Sequence, residues 1–445
     1  MSLDCIGTLY LFESVIPYLT FYAQENQALH ESAFDMDIRE KLRFIEQIQR
    51  PRDRETEKII PQASIDEIID GEFIETDFGV LFVRTREYSI DDRHGAVQLG
   101  QINEVSPYFI QLAGKDANLL QMDLRRSLFF DTETTGLAGG SGTYIFLTGF
   151  GYFESDKFII KQFFLRDFPD EPATLHAIHA ILKQFECLVS FNGKSFDWPL
   201  LQTRFIYHRI RNELIDPPHL DLLHAARRIW KYRLKDCSLG NLEYEIINVR
   251  RDNDIPSYLI PQIYFDYLRN KDAQPLKKIF YHNEIDILSL VSLTIMLNQI
   301  HKQPLDTLNH HIDLKTLAKH YENSRQWLRN VSIYQSLLET ETSQEAKTDL
   351  SLRLSYCYKR LGRWEEAVAL WEKLSTGGSF RLEPYEELAK YYEHRVRDYV
   401  KAEQIVRKAL ANLEIMEQIQ YQGLYNDYRE NLKHRLTRIQ TKMEK

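Results

Sequence analysis

The chain has 445 residues, of which 43% are hydrophobic and 27% are charged, and its formal net charge is −9. This length allows two or three domains, and the acidic balance argues against a protein that binds nucleic acid over its whole surface, because such domains tend to be basic. Its four cysteines form no C-x-x-C pair, which predicts free thiols in a reducing compartment. No apolar run reaches the ~18 residues of a membrane span, and the first 22 residues lack the basic start of a secretory signal. The sequence therefore predicts a cytoplasmic protein without membrane association.

The N-terminal part of the chain carries few chemical signals. Residues 1–70 are predicted to form a largely helical segment, with a helix over 35–48 whose apolar side chains share one side. Residues 71–123 are predicted to form a small β-rich lead-in, with strands over Phe73–Thr76 and Gly79–Thr85. Neither segment indicates a role.

The most informative stretch is Asp131-Thr132-Glu133-Thr134-Thr135-Gly136-Leu137, which follows the apolar run Leu128–Phe130. Side chains on a strand repeat every second residue, so Asp131 and Glu133 share one face and Thr132 points to the other. Two carboxylates held together repel each other unless a cation lies between them. An isolated D-x-E is more often a solvated strand end, and the length of this string favours a metal site.

The next elements predict an α/β sheet. Runs over 143–152 and 158–164 are typical of a hairpin, and the glycine-rich 138–142 is interpreted as a flexible loop on the substrate side. A helix over 171–185 and a strand over 187–191 follow, in the alternation expected of an α/β fold.

The strand over 187–191 leads into a turn that contains Asn192, Gly193 and Lys194, and Asp197 comes just before a helix predicted over 199–210. Read alone, Asp197 is more often a helix N-cap than a catalytic acid. Asn192 and Lys194 are candidates to contact a phosphate, with solvated turn residues as the alternative.

A basic and aromatic stretch covers residues 225–235, and Arg227, Arg228 and Lys231 are its candidates for binding nucleic acid. Cations neutralise phosphates and aromatic faces stack on unpaired bases, so this composition suits a single strand. The alternative is a solvated helix with Trp230 in the core.

A long apolar-rich helix is predicted over 276–300, and on it His282 and Asp286 are four residues apart, so they share a face. After residue 303 the sequence becomes repetitive, with Leu317, Tyr321 and Trp327 recurring 37 residues later as Leu354, Tyr358 and Trp364. A further recurrence gives a period near 34, which is typical of tetratricopeptide-like helical hairpins that stack into a solenoid. Such repeats would either brace the neighbouring domain or bind a protein partner.

Four stretches together resemble the motifs of the DEDD (DnaQ-like) 3′–5′ exonucleases, which have the ribonuclease H-like fold. Over roughly residues 70–300 the resemblance is to the YprB-like branch of that superfamily. The stretches that carry it are, in order, Asp131–Leu137, Phe191–Asp197, His219–Arg228 and His282–Leu288.

The resemblance implies an α/β ribonuclease H-like domain over 124–302, with a mixed central sheet flanked by helices, followed by an all-α repeat domain over 303–445. It implies hydrolysis of DNA or RNA from a 3′ end with two Mg²⁺ (or Mn²⁺) ions. The implied metal ligands are Asp131, Glu133, Asp197 and Asp286.

His282 is the implied general base, and Thr132 and Thr134 would contact the nucleic acid. The common subtypes place histidine five residues before the last acid or tyrosine four before it, whereas this chain has Tyr281 at five and His282 at four. The YprB-like branch shares that histidine position. The alternative function is a non-catalytic adaptor that binds nucleic acid or protein through the same two domains.

Overall fold

The computed structural model describes residues 63–136, 142–212, 214, 216–252, 254–377, 380–419 and 426–444. The helix predicted over 35–48, Leu137 and most of the glycine-rich loop lie outside the described residues. The described chain divides into two compact units, one from residues 63–104, 122–223 and 234–293 and one from residues 105–121, 224–233 and 294 onward. The first unit is α/β and the second is all-helical, which confirms the predicted fold class. The domain boundaries drawn from the sequence stay predictions.

A seven-stranded mixed sheet forms the centre of the first unit, in the order β1-β2-β7-β6-β5-β8-β9. Neighbours are antiparallel from β1 to β5, and β8 runs parallel to both β5 and β9. The strands, including the separate hairpin β3–β4, are β1 Glu72–Thr76, β2 Gly79–Ser89, β3 Arg93–His94, β4 Val97–Gln98, β5 Ser127–Thr134, β6 Ile145–Glu154, β7 Lys157–Phe164, β8 Cys187–Ser190 and β9 His219–Asp221.

Helices account for most of the remaining described chain. In chain order they are α1 Ile65–Ile68, α2 Pro107–Gly114, α3 Glu171–Leu182, α4 Asp197–Tyr207, α5 Leu222–Trp230, α6 Leu239–Leu242, α7 Ile260–Asn270, α8 Leu276–Lys302, α9 Pro304–Thr307, α10 His311–Asn323, α11 Trp327–Thr340, α12 Gln344–Arg360, α13 Trp364–Ser375, α14 Leu382–Lys390, α15 Tyr399–Ile419 and α16 Asn426–Met443. Two π-helical turns, Glu243–Ile247 and Tyr391–Val396, follow α6 and α14 directly. None of the helices within the described ranges is long and apolar enough to cross a membrane.

Both faces of the sheet are covered, and the alternation of side chains along the strands divides the core into two clusters. Leu81 and Val83 of β2 pack in the cluster under α3 and α4, whereas Phe82 packs in the cluster under α7 and α8. The strands predicted over 73–76 and 79–85 extend this sheet, because β2 pairs with β7 from Phe82 to Ser89. The lead-in therefore shares its core with the residues that follow it.

The helical unit packs its helices in sequence, each of α10 to α16 against the next. The recurring positions of the sequence are its core, since Leu317, Tyr321, Leu354 and Tyr358 are all buried. Gly362 has a φ of +77° in the turn between α12 and α13, where a residue with a side chain would be strained. These features are consistent with helical repeats, and the tetratricopeptide assignment stays a prediction.

One buried acid in this unit is surrounded by cations. The side chain of Glu393 is fully buried and accepts hydrogen bonds from Arg435, Arg438 and Lys442 at 2.7–2.9 Å. Burial alone would raise the pKa of Glu393, but the hydrogen bonds from Arg438 and Lys442 outweigh it and lower that pKa to about 2. A carboxylate with a lowered pKa stabilises the fold above its ordinary pKa and loses that contribution as the pH falls.

We expect Glu393→Gln to lower the free energy of unfolding of the helical unit at pH 7 by roughly 3 kcal/mol, the equivalent of a pKa lowered from 4.5 to about 2. The difference from the wild type should shrink as the pH falls from about 4.5 towards 2, because Glu393 is then protonated in both states. Thermal unfolding followed by circular dichroism at pH 7 and pH 3 measures both effects. Glu430→Gln is the control, since Glu430 and Lys433 form an exposed pair at 3.1 Å. Equal destabilisation by both variants would contradict the assignment.

Candidate functional site

The end of β5 presents its acids to α8. Phe130 points into the core under α4, so Asp131 and Glu133, one and three residues later, point to the opposite face of the sheet. Asn283 of α8 donates from Nδ2 to Asp131 Oδ2 at 3.0 Å. This hydrogen bond fixes the orientation of the first carboxylate.

Asn283 is itself held by a buried polar chain. Its Oδ1 accepts from Gln162 Nε2 at 2.9 Å, and Gln162 Oε1 accepts from Arg84 Nη1 at 2.8 Å. A Cβ at position 149 would lie 2.1 Å from Asn283 Oδ1, so Gly149 on β6 makes the space that this side chain fills. The acid site is therefore supported by residues of three strands and one helix.

Asp197 reaches the site from the other side of β5. It is the first residue of α4, and Phe196 occupies the N-cap position, so the carboxylate does not cap the helix through its side chain. Thr132 donates its hydroxyl to Asp197 Oδ1. Gly193 lies close beneath, because a Cβ there would be 2.5 Å from Ser190 Oγ and 3.1 Å from Asp197 Oδ2.

Asp221 lies in the stretch His219–Arg228, within which the sequence indicated no role for it, and it holds the turn before α4. Its carboxylate accepts the backbone N–H of Asn192 at 2.9 Å and that of Lys194 at 3.3 Å. Asn192 has a φ of +64°, a conformation that this hydrogen bond stabilises. The neighbouring His219 bonds Ser190 Oγ through Nε2 at 2.7 Å, and burial lowers the pKa of His219 to about 3, so the ring is neutral. Both residues position the turn that carries Asp197.

His282 and Asp286 share a face of α8, and Nε2 of the histidine lies 3.4 Å from Asp286 Oδ2. Glu133, His282 and Asp286 each offer a ligand atom within 4.8 Å of the others, so these three residues could hold a divalent cation. Tyr281 is offset by about 100° around the helix from His282. It therefore cannot point to the same place.

The structure adds Arg251, the centre of a group of residues that sequence reasoning missed. Its guanidinium donates to Glu243 Oε2 at 2.6 Å, to Asp254 Oδ2 at 3.0 Å and to Asp286 Oδ1. The side chain of Arg251 is only 10% exposed, and Glu243 beside it is buried. The segment that contains Arg251, Glu243 and Asp254 has no regular repeat and no recognisable motif. Their position at the site therefore could not be predicted from the sequence.

Asp254 sets the proton position of His282. His282 Nδ1 lies 2.9 Å from Asp254 Oδ2, 3.0 Å from Oδ1 and 3.0 Å from Arg251 Nη1. The ionised carboxylate can only accept a hydrogen bond and the guanidinium can only donate one, so the bond to Asp254 requires the proton on Nδ1. Burial lowers the pKa of His282, and the bond to Asp254 and the charge of Asp286 outweigh it and raise that pKa. Burial opposes ionisation of Asp254 as well, yet the bond from His282 lowers the pKa of Asp254 to about 2. Nε2 is thereby left to face Asp286 and the acids of β5.

The acids of the site are crowded with negative charge. Burial, and then the charges of Asp286 and Asp197, raise the pKa of Asp131 well above its usual range. Burial, and then the charges of Asp131, Asp286 and Asp197, raise the pKa of Glu133 well above its usual range. Burial raises the pKa of Asp197 to about 6. Arg251 opposes these effects at Asp131 and Glu133.

This donor set fits a hard divalent cation. Carboxylate oxygens are the ligands that Mg²⁺ and Mn²⁺ prefer, and a bound cation would relieve the repulsion that raises these pKa values. Arg251 supplies positive charge to Asp286 from one side.

The other predicted nucleic-acid contacts are dispersed. Thr134 lies at a β-bulge and donates its hydroxyl to Gly136 O at 3.0 Å, and the side chain of Lys194 is exposed. The residues predicted on the basic stretch, Arg227, Arg228 and Lys231, belong to the helical unit. There Arg228 donates to Ala113 O at 2.6 Å. The structure brings together the four acids and His282, and it gives Thr132 and Arg228 partners within the protein.

Comparison with known proteins identifies the fold of the first unit. Residues 128–298 match the model of the RNase_H superfamily, a range that contains all four acids and His282. The protein YprB of Bacillus subtilis (strain 168), described as uncharacterized, is 34% identical over 352 residues, which cover 77% of this chain and 83% of YprB. A family B DNA polymerase from Pyrobaculum calidifontis matches with a TM-score of 0.30 and 10% identity, over 57% of this chain and 50% of that chain. This chain therefore belongs to the family of YprB and carries an RNase_H superfamily domain.

Proposed function

We propose that this chain is a metal-dependent nuclease that hydrolyses phosphodiester bonds of DNA or RNA from a 3′ end. The observation that carries the proposal is the convergence of Asp131, Glu133, Asp197 and Asp286 with His282 in one buried site. Buried acids that raise one another's pKa are typical of functional sites, because a fold gains no stability from such repulsion. The 3′–5′ polarity rests on the resemblance to the DEDD exonucleases.

The four carboxylates would hold two divalent cations, Mg²⁺ or Mn²⁺. Cations bound there supply the activation of water and the neutralisation of charge that phosphodiester hydrolysis requires. Thr132 orients Asp197, and Asn283 orients Asp131, so both carboxylates are positioned before any ligand binds.

His282 is proposed as the general base. With Nδ1 donating to Asp254, Nε2 of the neutral ring can accept a proton from the attacking water. Asp254 stabilises the ring when it becomes positively charged. Arg251 links Asp254 to Asp286, and so fixes the distance between the base and the last acid.

The decisive experiment incubates the purified chain with 5′- and 3′-labelled DNA and RNA, single- and double-stranded, with Mn²⁺ and with chelator. Cutting that needs the metal and shortens the strand from its 3′ end supports the whole proposal. Binding without cutting under all conditions would favour the adaptor function instead.

We expect Mn²⁺ or Mg²⁺ to raise the melting temperature of the wild type, because a ligand that binds only the folded state stabilises it. Asp131→Asn with Asp197→Asn should abolish that rise. Without metal the same variant should melt at or above the wild type, since the substitutions remove buried negative charge. Thermal scanning with and without metal measures both effects. Asp66→Asn with Asp156→Asn, two exposed acids of the same unit, is the control and should keep the rise; a rise retained in the site variant would show that the ions bind elsewhere.

His282→Ala should lower the rate of hydrolysis by about 10²–10⁴-fold, the usual contribution of a positioned base. The metal-dependent rise in melting temperature should persist in His282→Ala, because a general base does not hold the metal. Loss of a metal ligand would reduce that rise. Tyr281→Phe is the matched variant on the same helix and should cost much less, since it removes only a hydroxyl. The base assignment is wrong if Tyr281→Phe proves the more damaging change.

Asp254→Ala should lower the rate of hydrolysis by about 10–100-fold, as is usual for a residue that orients a catalytic group. Asp254→Asn keeps an acceptor for His282 Nδ1 and should retain more activity than Asp254→Ala. The exposed Asp252→Ala, two residues away, controls for loss of an acid near the site. Single-turnover rates measure the effect, and an unchanged rate in Asp254→Ala would exclude the orienting role.

A further inference from the structure

A cavity of about 670 Å³ lies within the helical unit, between the end of α12, the start of α13, α14 with its π-helical turn, and α16. Its lining is unusually basic for a chain with a net charge of −9. The charged side chains of the lining are Lys359, Lys390, Arg395, Arg435, Arg438 and Glu387.

The acids near the cavity do not balance its cations. Glu387 is 8% exposed and is shared by Lys359 and Lys390, and Lys390 also lies 3.3 Å from Glu386. Glu393 lies buried behind Arg435 and Arg438 together with Lys442. The lining therefore has five lysine and arginine side chains and one acid, Glu387, and of the two further acids near them Glu393 is buried, so the cavity has an excess of positive charge.

An aromatic pair forms part of the same lining. The rings of Trp364 and Tyr391 are stacked, with centroids 5.7 Å apart and planes at 26°. The guanidinium carbon of Arg395 lies 4.6 Å from the centroid of the Trp364 ring. Within the described ranges Arg395 makes no ion pair, so its donors are available to an anion. A guanidinium stacked on an aromatic ring is oriented for recognition of phosphate oxygens.

The backbone also departs from regular helix here. The turn Tyr391–Val396 is π-helical, and it places Tyr391, His394 and Arg395 around the cavity. Such turns occur frequently at functional sites, because the wider turn redirects side chains at a cost in helix stability.

We propose that this cavity binds single-stranded nucleic acid, with phosphates on the cations and a base against the Trp364–Tyr391 pair. Positive charge combined with accessible aromatic rings is the usual composition of a single-strand site, and Trp364 and Tyr391 are both partly exposed. An acidic peptide would satisfy the cations but would leave the aromatic pair without a partner. The choice of nucleic acid as the polyanion rests on the proposed function, whereas the anion site rests on the lining alone.

The test measures binding of the full chain to fluorescein-labelled dT12 and rU12 by fluorescence anisotropy, with chelator present to prevent cutting and over a series of salt concentrations. The variant is Lys390→Gln with Arg395→Gln, which leaves the cations around Glu393 intact and leaves Glu387 its bond to Lys359. The matched control is Lys373→Gln with Lys408→Gln, two exposed lysines of the same unit outside the cavity. Melting temperatures should be the same for both variants and the wild type.

The cavity variant should bind about 10-fold more weakly, and the slope of log affinity against log salt should fall by about 1.4, since two phosphate contacts are lost at about 0.7 each. The control variant should match the wild type. Unchanged binding in the cavity variant, equal loss in the control, or equal competition by a glutamate-rich 12-residue peptide would overturn the proposal.

The two proposals fail separately. Asp131→Asn with Asp197→Asn should abolish cutting and leave binding at the cavity intact. A wild type that cuts nucleic acid while the cavity variant binds normally overturns the cavity proposal alone. A wild type that binds through the cavity but never cuts overturns the nuclease proposal alone.

Discussion

Electrostatic repulsion among the carboxylates at the end of β5 is the constraint to which the first unit is adapted. Asp197 and Asp286 lie close enough to Asp131 and Glu133 to raise the pKa values of both, in partly buried surroundings. A strand end in solvent would let these side chains turn away from each other. Here Asn283 and Thr132 each hold one carboxylate in place, so the negative charge stays concentrated where a cation would relieve it.

The positive charge of Arg251 partly offsets this repulsion. Its guanidinium is shared among three carboxylates, of which only Asp286 belongs to the four acids of the proposed metal site. Because Asp254 also accepts from His282, the arginine connects the orientation of the histidine to that of the last acid. Arg251 thus fixes the position of His282 relative to Asp286.

The helical unit contains the opposite arrangement, in which cations surround one buried acid. Glu393 is a single buried acid among several cations, and each cation keeps part of its side chain accessible. The buried carboxylate therefore holds several cations in place, and their combined positive charge exceeds its single negative charge. The π-helical turn that carries Glu393 also carries Arg395, so the same backbone irregularity serves the buried pair and the cavity.

The sequence by itself determined the α/β character of the first unit and the helical character of the second, and it selected the four acids and His282 as candidate site residues. These features are local: strand alternation places Asp131 opposite Thr132, and helix periodicity places His282 with Asp286. The capping interpretation of Asp197 and the open role of Asp221 were decided only by the tertiary structure, in which Thr132 and the backbone of the Asn192 turn are their partners. The roles of Arg251, Glu243 and Asp254 likewise depend on tertiary contacts and could not be predicted from the sequence. Their segment has no periodicity, and they meet His282 and Asp286 only because the chain brings these three residues against α8, a contact that no local pattern encodes.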